Sequence, residues 1–271
     1  MGHNIGVRKL LIGLGSALAA VLVGVVAVDF GCSVFAEYRL SRTVRAAADL
    51  KWDPSVAILG FPFLPQAMRH HYGEVELKAN DVSQPLVGRA SIEATMHSID
   101  LSEASWLIAP DAKLPVGKLE SRIIIDSAHL GRYMGIKDLM VEAPAVETND
   151  ATGGTTESGI SDSHGLVFTG TPQTAGFAER VSVSVDLSIT GADRTTLVIT
   201  PTGVLTGPGT ADQEVPADKV GAVLTAFQSR LPDQKLPFGV APTSQGARGS
   251  DIIIEGIAEG VTISPAGFRQ S

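Results

Sequence analysis

A single cysteine, Cys32, stands in the whole chain, which excludes an intramolecular disulfide framework and leaves the fold to rest on its core. That keeps an extracytoplasmic location open, because a chain of 271 residues is long enough to build one large β-rich domain without staples. Aromatic residues are scarce, at 5%, and charged residues make up only 18%. No block of basic residues occurs, and the formal charge is −8. Both the positive footprint and the aromatic platforms that stack bases are lacking, which argues against nucleic acid as a partner. Enzyme signatures are missing as well. There is no G-x-S-x-G elbow, and neither Gly153-Gly154 nor Gly207-Pro208-Gly209 has the strand-to-helix setting of a phosphate loop. The pair His70-His71 has no third ligand at metal spacing, and neighbours on a strand point to opposite faces, so neither a metal site nor another cofactor is expected. Asp126-Ser127-Ala128-His129 and Asp162-Ser163-His164 bring triad residue types together, but real triads are assembled in space. Ser127 reads better as the cap of a short helix, Ala128–Met134, ending at Gly135.

Charge is absent altogether from Leu10 to Val28, a run preceded by Arg8-Lys9. Nineteen residues at 1.5 Å each come close to the roughly 30 Å hydrocarbon core of a bilayer. The run reads as a membrane-spanning signal-anchor. Val34-Phe35-Ala36 offers a small-residue cleavage site, whereas Asp29 and the length of the run favour an uncleaved anchor. Asp29-Phe30-Gly31 before Cys32 is a poor match to a lipoprotein signal. Arg8 and Lys9 favour a cytoplasmic N-terminus of residues 1–9, although Arg39, Arg42 and Arg45 lie close on the far side. Residues 33–271 are then an extracytoplasmic domain, with a membrane as the first partner.

From Ser33 to Leu50 the pattern is that of an amphipathic helix, Val34, Tyr38 or Ala36, Leu40, Val44, Ala47 and Ala48 on one side and Glu37, Arg39, Arg42 and Arg45 on the other. It either docks on the domain it introduces or turns its arginines to lipid phosphates. Strand alternation follows at Glu74–Ala79, Arg89–Asp100 and, most strictly, Arg180–Thr190, which turns at Gly191–Arg194 into Thr195–Thr200. Lys118–Asp126, Asp138–Ala143, Ile252–Ile257 and Val261–Ser264 are further strands. Pro216–Leu231 reads as a helix with Val220, Val223, Leu224 and Phe227 on one face. The Gly-, Ser-, Thr- and Asp-rich segment 149–165 is expected to be a mobile loop and the internal boundary.

The chain is organised around Leu50–Val82. An apolar run, Val56–Leu59, leads into Gly60-Phe61-Pro62-Phe63-Leu64-Pro65, whose prolines bar an ordinary central strand or a helix interior. Large apolar groups on a bent, rigid connection need covering, by the protein's own core or by a greasy ligand. The order Ala36-Glu37, then Pro54-x-Val56-x-Ile58-x-Gly60-Phe61-Pro62-Phe63-Leu64-x-Gln66, then Tyr72-Gly73 and Asp81-Val82, resembles the LmeA-like phospholipid-binding proteins of actinobacterial-type cell envelopes. Leu231-Pro232, Leu236-Pro237-Phe238-Gly239 and Glu255-Gly256-Ile257 follow in the family's order. Pro65 and the Tyr72-Gly73 order depart from its pattern.

The resemblance implies an α+β fold: after the transmembrane helix, an elongated, strongly curved antiparallel β structure with covering helices, similar to tubular lipid-binding proteins. It implies a phospholipid ligand, of phosphatidylinositol-like kind, a role in envelope lipid or lipoglycan (mannan) metabolism, and enzymes of envelope glycan or lipid synthesis as partners. Apolar patterning then nominates Ile58, Phe61, Phe63, Leu64, Val75, Leu77, Leu224 and Phe227 as lipid-lining, with Arg69, His70 and His71 near the headgroup. Periodicity alone does not separate a cavity from a packed core. Two other readings therefore stand beside this one: an anchored scaffold working through protein contacts, and a lipid hydrolase built from distant residues such as Ser127, His129 or His164.

Overall fold

A computed structural model describes residues 3–84, 86–144, 160–207, 210–211 and 214–269. It begins with one helix, α1 (His3–Ala48). The apolar run and the amphipathic stretch after it, read separately from the sequence, are continuous, since no proline interrupts residues 3–48. The helix stops where Asp49 takes a left-handed backbone conformation, φ 53°.

Among the described residues, eleven strands, all paired antiparallel, form two sheets. The first is a strongly curved half-barrel in the order β1 (Ser55–Leu59), β2 (His71–Gln84), β3 (Gly88–Asp100), β4 (Leu114–Ile125), β11 (Asp251–Ile263), β10 (Ser244–Arg248). The short helix α2 (Phe63–Met68) joins β1 to β2. The second sheet runs β5 (Lys137–Glu142), β6 (Leu166–Thr171), β7 (Val181–Thr190), β8 (Thr196–Leu205), β9 (Ser229–Leu231). This is the α+β, curved antiparallel architecture expected, with few helices.

Register makes the first sheet one-sided. On its inner face the rows read Ala79–Ile92–Ile123–Ile254, Leu77–Ala94–Ser121–Gly256 and Val75–Met96–Leu119–Ala258. On the outer face, Lys78–Glu93–Arg122–Glu255 lie in one row. There Lys78 Nζ sits 2.5 Å from Glu93, and Arg122 reaches Glu255 at 2.5 Å and Glu120 at 2.6 Å. Side chains alternate across a pleated strand, so an apolar face and a charged face follow from the same residues.

The chain passes from the first sheet to the second through α3 (Ser127–Met134). Asp126, rather than Ser127, is its N-cap: the carboxylate accepts from the amides of Ala128 at 2.8 Å and His129 at 3.2 Å. Gly135 closes the helix in the left-handed conformation, φ 71°. The transition between the two sheets lies at α3, ahead of the segment 149–165. Residues 149–159 of that segment are outside the described residues, and the strands on either side of it, β5 and β6, pair with each other. Ile160 and Ser161 are buried, with the Ser161 amide donating to the Ala247 carbonyl at 2.9 Å.

The C-terminal helix, α4 (Val220–Phe227), is shorter than the pattern over 216–231 predicts. Residues 229–231 leave the helix to add an edge strand to β8, pairing Leu231 with Leu197. A backbone whose amides and carbonyls find a sheet edge has no need of another helical turn.

Candidate functional site

The second half of α1 lies along the apolar face of the half-barrel. Ala36, Leu40, Val44 and Ala48 recur at helical spacing and are all buried. Beneath Leu40 and Val44 runs a crevice lined by Val75, Leu77, Met96, Ile99, Ile108, Leu114, Phe238, Ile263 and Pro265, apolar throughout. Its free volume is about 20 Å³, room for about one water molecule, and a wall without polar groups gives a water nothing to bond. The other end of the concave face is filled by the chain at 236–240. The small row Ala94–Ser121–Gly256 makes space for it, and the Ser121 hydroxyl donates to the Pro237 carbonyl at 3.1 Å. A Cβ on Gly256 would stand 2.4 Å from the Ala241 carbonyl oxygen and 2.6 Å from Leu236. Only glycine permits that approach.

Three polar side chains of α1 hold the Pro54–Leu64 segment against the helix. Ser41 donates to the Pro54 carbonyl at 2.6 Å, and Glu37 accepts from the Ile58 amide at 2.9 Å, which occupies part of the open edge of β1. Asp29, only 4% exposed, accepts from the amides of Phe63 at 2.8 Å and Leu64 at 2.7 Å. This completes the start of α2. A helix leaves its first four amides without partners. Here the N-cap and the third helical residue are Pro62 and Pro65, which carry no amide hydrogen, and Asp29 takes the remaining pair. Prolines expected to bar a helix interior are thus at home in its first turn. Gly60 turns the chain with φ 101°, and Gln66 ties the bend together by donating to the Gly60 carbonyl at 2.7 Å and accepting from the Gly73 amide at 3.1 Å.

The residues nominated from the sequence fall into separate places. Val75 and Leu77 line the crevice, and Ile58 is buried beside them, directly opposite Val75 in the β1–β2 ladder. Phe63, 2% exposed, belongs to an aromatic cluster, its ring 5.7 Å from that of Tyr72 and 6.2 Å from that of Trp106. Tyr72 donates its hydroxyl to the Trp106 carbonyl at 2.7 Å, and burial pushes its phenol well above the usual range. Leu64 is half-buried against the core, whereas Phe61 is exposed. Leu224 and Phe227 lie on α4, which packs on β8 of the other sheet. Arg69, His70 and His71 are exposed together at the end of α2, with the Arg69 Nε donating to the Pro65 carbonyl at 3.1 Å.

Sequence reasoning missed Leu40 and Val44 as crevice-lining residues, and Asp29, Glu37 and Ser41 as the groups that fasten the turn. The signal for Asp29 was a lone acid directly after an uncharged run. Its partners are 34 and 35 residues away, beyond any local pattern.

The Asp162-Ser163-His164 group does not have the geometry of a triad. Ser163 Oγ at 3.1 Å and Asp162 Oδ1 at 3.2 Å both approach the same ring nitrogen, Nδ1. A relay needs the serine and the acid on opposite nitrogens. His129 Nδ1 sits 3.3 Å from the capping carboxylate of Asp126.

No curated protein and no solved structure matches the chain. The family model of the LmeA-like phospholipid-binding proteins matches residues 27–257.

Proposed function

Because the chain belongs to the LmeA-like phospholipid-binding family, we propose that it is a membrane-anchored, extracytoplasmic phospholipid-binding protein and that the concave face of its first sheet receives the lipid. The match begins two residues before Asp29, where α1 first touches the domain, and runs through both sheets into β11. Immediately before Asp29, residues 13–28 form an apolar helical stretch with no buried side chain, in keeping with a membrane anchor.

The observation that carries the reading is the crevice under Leu40 and Val44. It is wholly apolar, and its roof belongs to the same helix as the apolar stretch 13–28. At about 20 Å³ it holds no acyl chain, so lipid entry requires α1 or the 236–240 turn to give way. The exchange is thermodynamically modest. A buried methylene is worth about 0.8 kcal/mol against water, but a lipid leaving a bilayer has already gained that. Displaced Leu40 and Val44 would be exchanged for acyl chain, like for like. Selectivity then falls to the headgroup, where a phosphatidylinositol-like lipid and service to lipoglycan metabolism, alongside enzymes of envelope synthesis, complete the proposal. In this reading the protein binds lipid and catalyses nothing.

The tightness of the same crevice favours a second reading, a packed scaffold that works through protein contacts. Native mass spectrometry on the full chain, extracted in mild detergent from a lipid-containing host, separates the two. A discrete phospholipid mass that survives removal of bulk lipid supports the first and identifies the headgroup. A bare polypeptide that also takes up no lipid from vesicles leaves the scaffold.

A further inference from the structure

The turn Gly60–Arg69 carries apolar side chains that nothing in the fold requires to be exposed. Phe61 is 73% exposed and Met68 78%, on a ten-residue segment whose other large apolar residues are buried or half-buried. Its position along α1 is fixed. Asp29 bonds to the first amides of α2 at 2.8 and 2.7 Å, so the turn sits beside the residue at which the exposed apolar stretch of α1 ends. Phe30, 70% exposed, adds a third large apolar group at that level. The turn is also stiff: its prolines, the Asp29 cap and the two Gln66 bonds leave little freedom for Phe61 to fold back. Directly after it come Arg69, His70 and His71, all exposed.

We propose that Gly60–Arg69 is a second membrane contact, seated in the bilayer surface beside the anchor, with Phe61 and Met68 in the acyl boundary and Arg69 among the phosphates. The proposal rests on the anchored reading above. If residues 13–28 span the bilayer, the rigid helix carries this turn to the interface, where an apolar body next to a basic tip is the favoured composition. The occupant is the lipid surface itself. Docking the domain at two points would hold the open side of the half-barrel at a fixed height over the membrane.

Single cysteines at Phe61→Cys, Met68→Cys, Val21→Cys and Ala192→Cys, each in a Cys32→Ser full-length chain, test it. Each is labelled with an environment-sensitive fluorophore and reconstituted into phosphatidylcholine–phosphatidylglycerol vesicles with or without doxyl-labelled lipid. Ala192 is exposed in the turn after β7 and serves as the aqueous control. Labels at 61 and 68 should lose emission to the lipid quencher and be shielded from iodide, as at 21, while the label at 192 does the reverse. If 61 and 68 behave like 192 while 21 is quenched by lipid, the dock is overturned and the anchor stands. If 21 also stays in water, the anchor fails and takes the dock with it.

Discussion

Residues 13–28 and 29–48 belong to one helix, yet they differ in composition and in surroundings: the first part has no charged residue, and the second carries Asp29, Glu37, Arg39, Arg42 and Arg45. Every side chain of the first part is exposed, Leu18 at 61%. In the second part a single stripe is buried, and Glu37 and Ser41 flank it to bond the neighbouring backbone. Asp29 marks the change. Composition and contacts change together: the second part has a polar flank and a complementary sheet, whereas the first is apolar all round. A helix that is apolar all round is of the kind found in a core or in lipid, and this one is long and apolar enough to cross a membrane.

Variants at matched residues break or sharpen this contrast. Phe63→Ala should cost about 3–5 kcal/mol by removing the centre of the aromatic cluster. Phe61→Ala, two residues away but exposed, should stay within about 0.5 kcal/mol. Chemical denaturation in detergent reads both, and equal costs would mean that Phe61 is not free of the fold. Leu40→Ala should follow at about 2–5 kcal/mol, against no measurable change for Leu18→Ala under the same conditions. Asp29→Ala should cost about 1.5–3 kcal/mol, the range for hydrogen bonds to a charged group. It should also raise amide exchange at Phe63 and Leu64, a local signature that a general loss of stability would not give.

The smallest effect concerns pH. Burial raises the Glu120 carboxyl, but the hydrogen bond from Lys118 and the charges of Arg122, Lys118 and His97 outweigh it and hold the group below its ordinary value of 4.5. With the folded value depressed, its contribution is present above the unfolded value and is lost as pH falls through the folded one. Glu120→Gln should therefore flatten the acid limb of a stability–pH curve and leave its shape near neutrality unchanged.

Much of the fold was legible because alternation and helical spacing are local. The one-sided character of β2, β3 and β7 is written in their period, and the helix ending at Gly135 has its stop signal beside it. Less was legible wherever a choice depended on distant partners. Asp126 and Ser127 are both good caps, and only the extended conformation of Asp126, φ −62° and ψ 138°, decides between them. Ser229–Leu231 continues a helical pattern but is taken by the edge of β8. Within the site, Val75 and Leu77 were legible as an apolar face. Nothing local shows that Leu224 and Phe227 face the other sheet, or that Phe63 and Phe61, alike in sequence, end up on opposite sides of the protein surface.

The claim that the half-barrel receives lipid is tested most directly by a phospholipid bearing a photoactivatable diazirine in its acyl chain. It would be incorporated with the full-length chain into vesicles, and the cross-linked peptides mapped by mass spectrometry. Adducts on the inner face, at Leu40, Val44, Val75, Leu77 or Met96, in addition to residues 13–28, are the predicted result. Adducts confined to residues 13–30 and the Phe61 turn would contradict it, leaving a protein that touches the bilayer but takes no lipid from it.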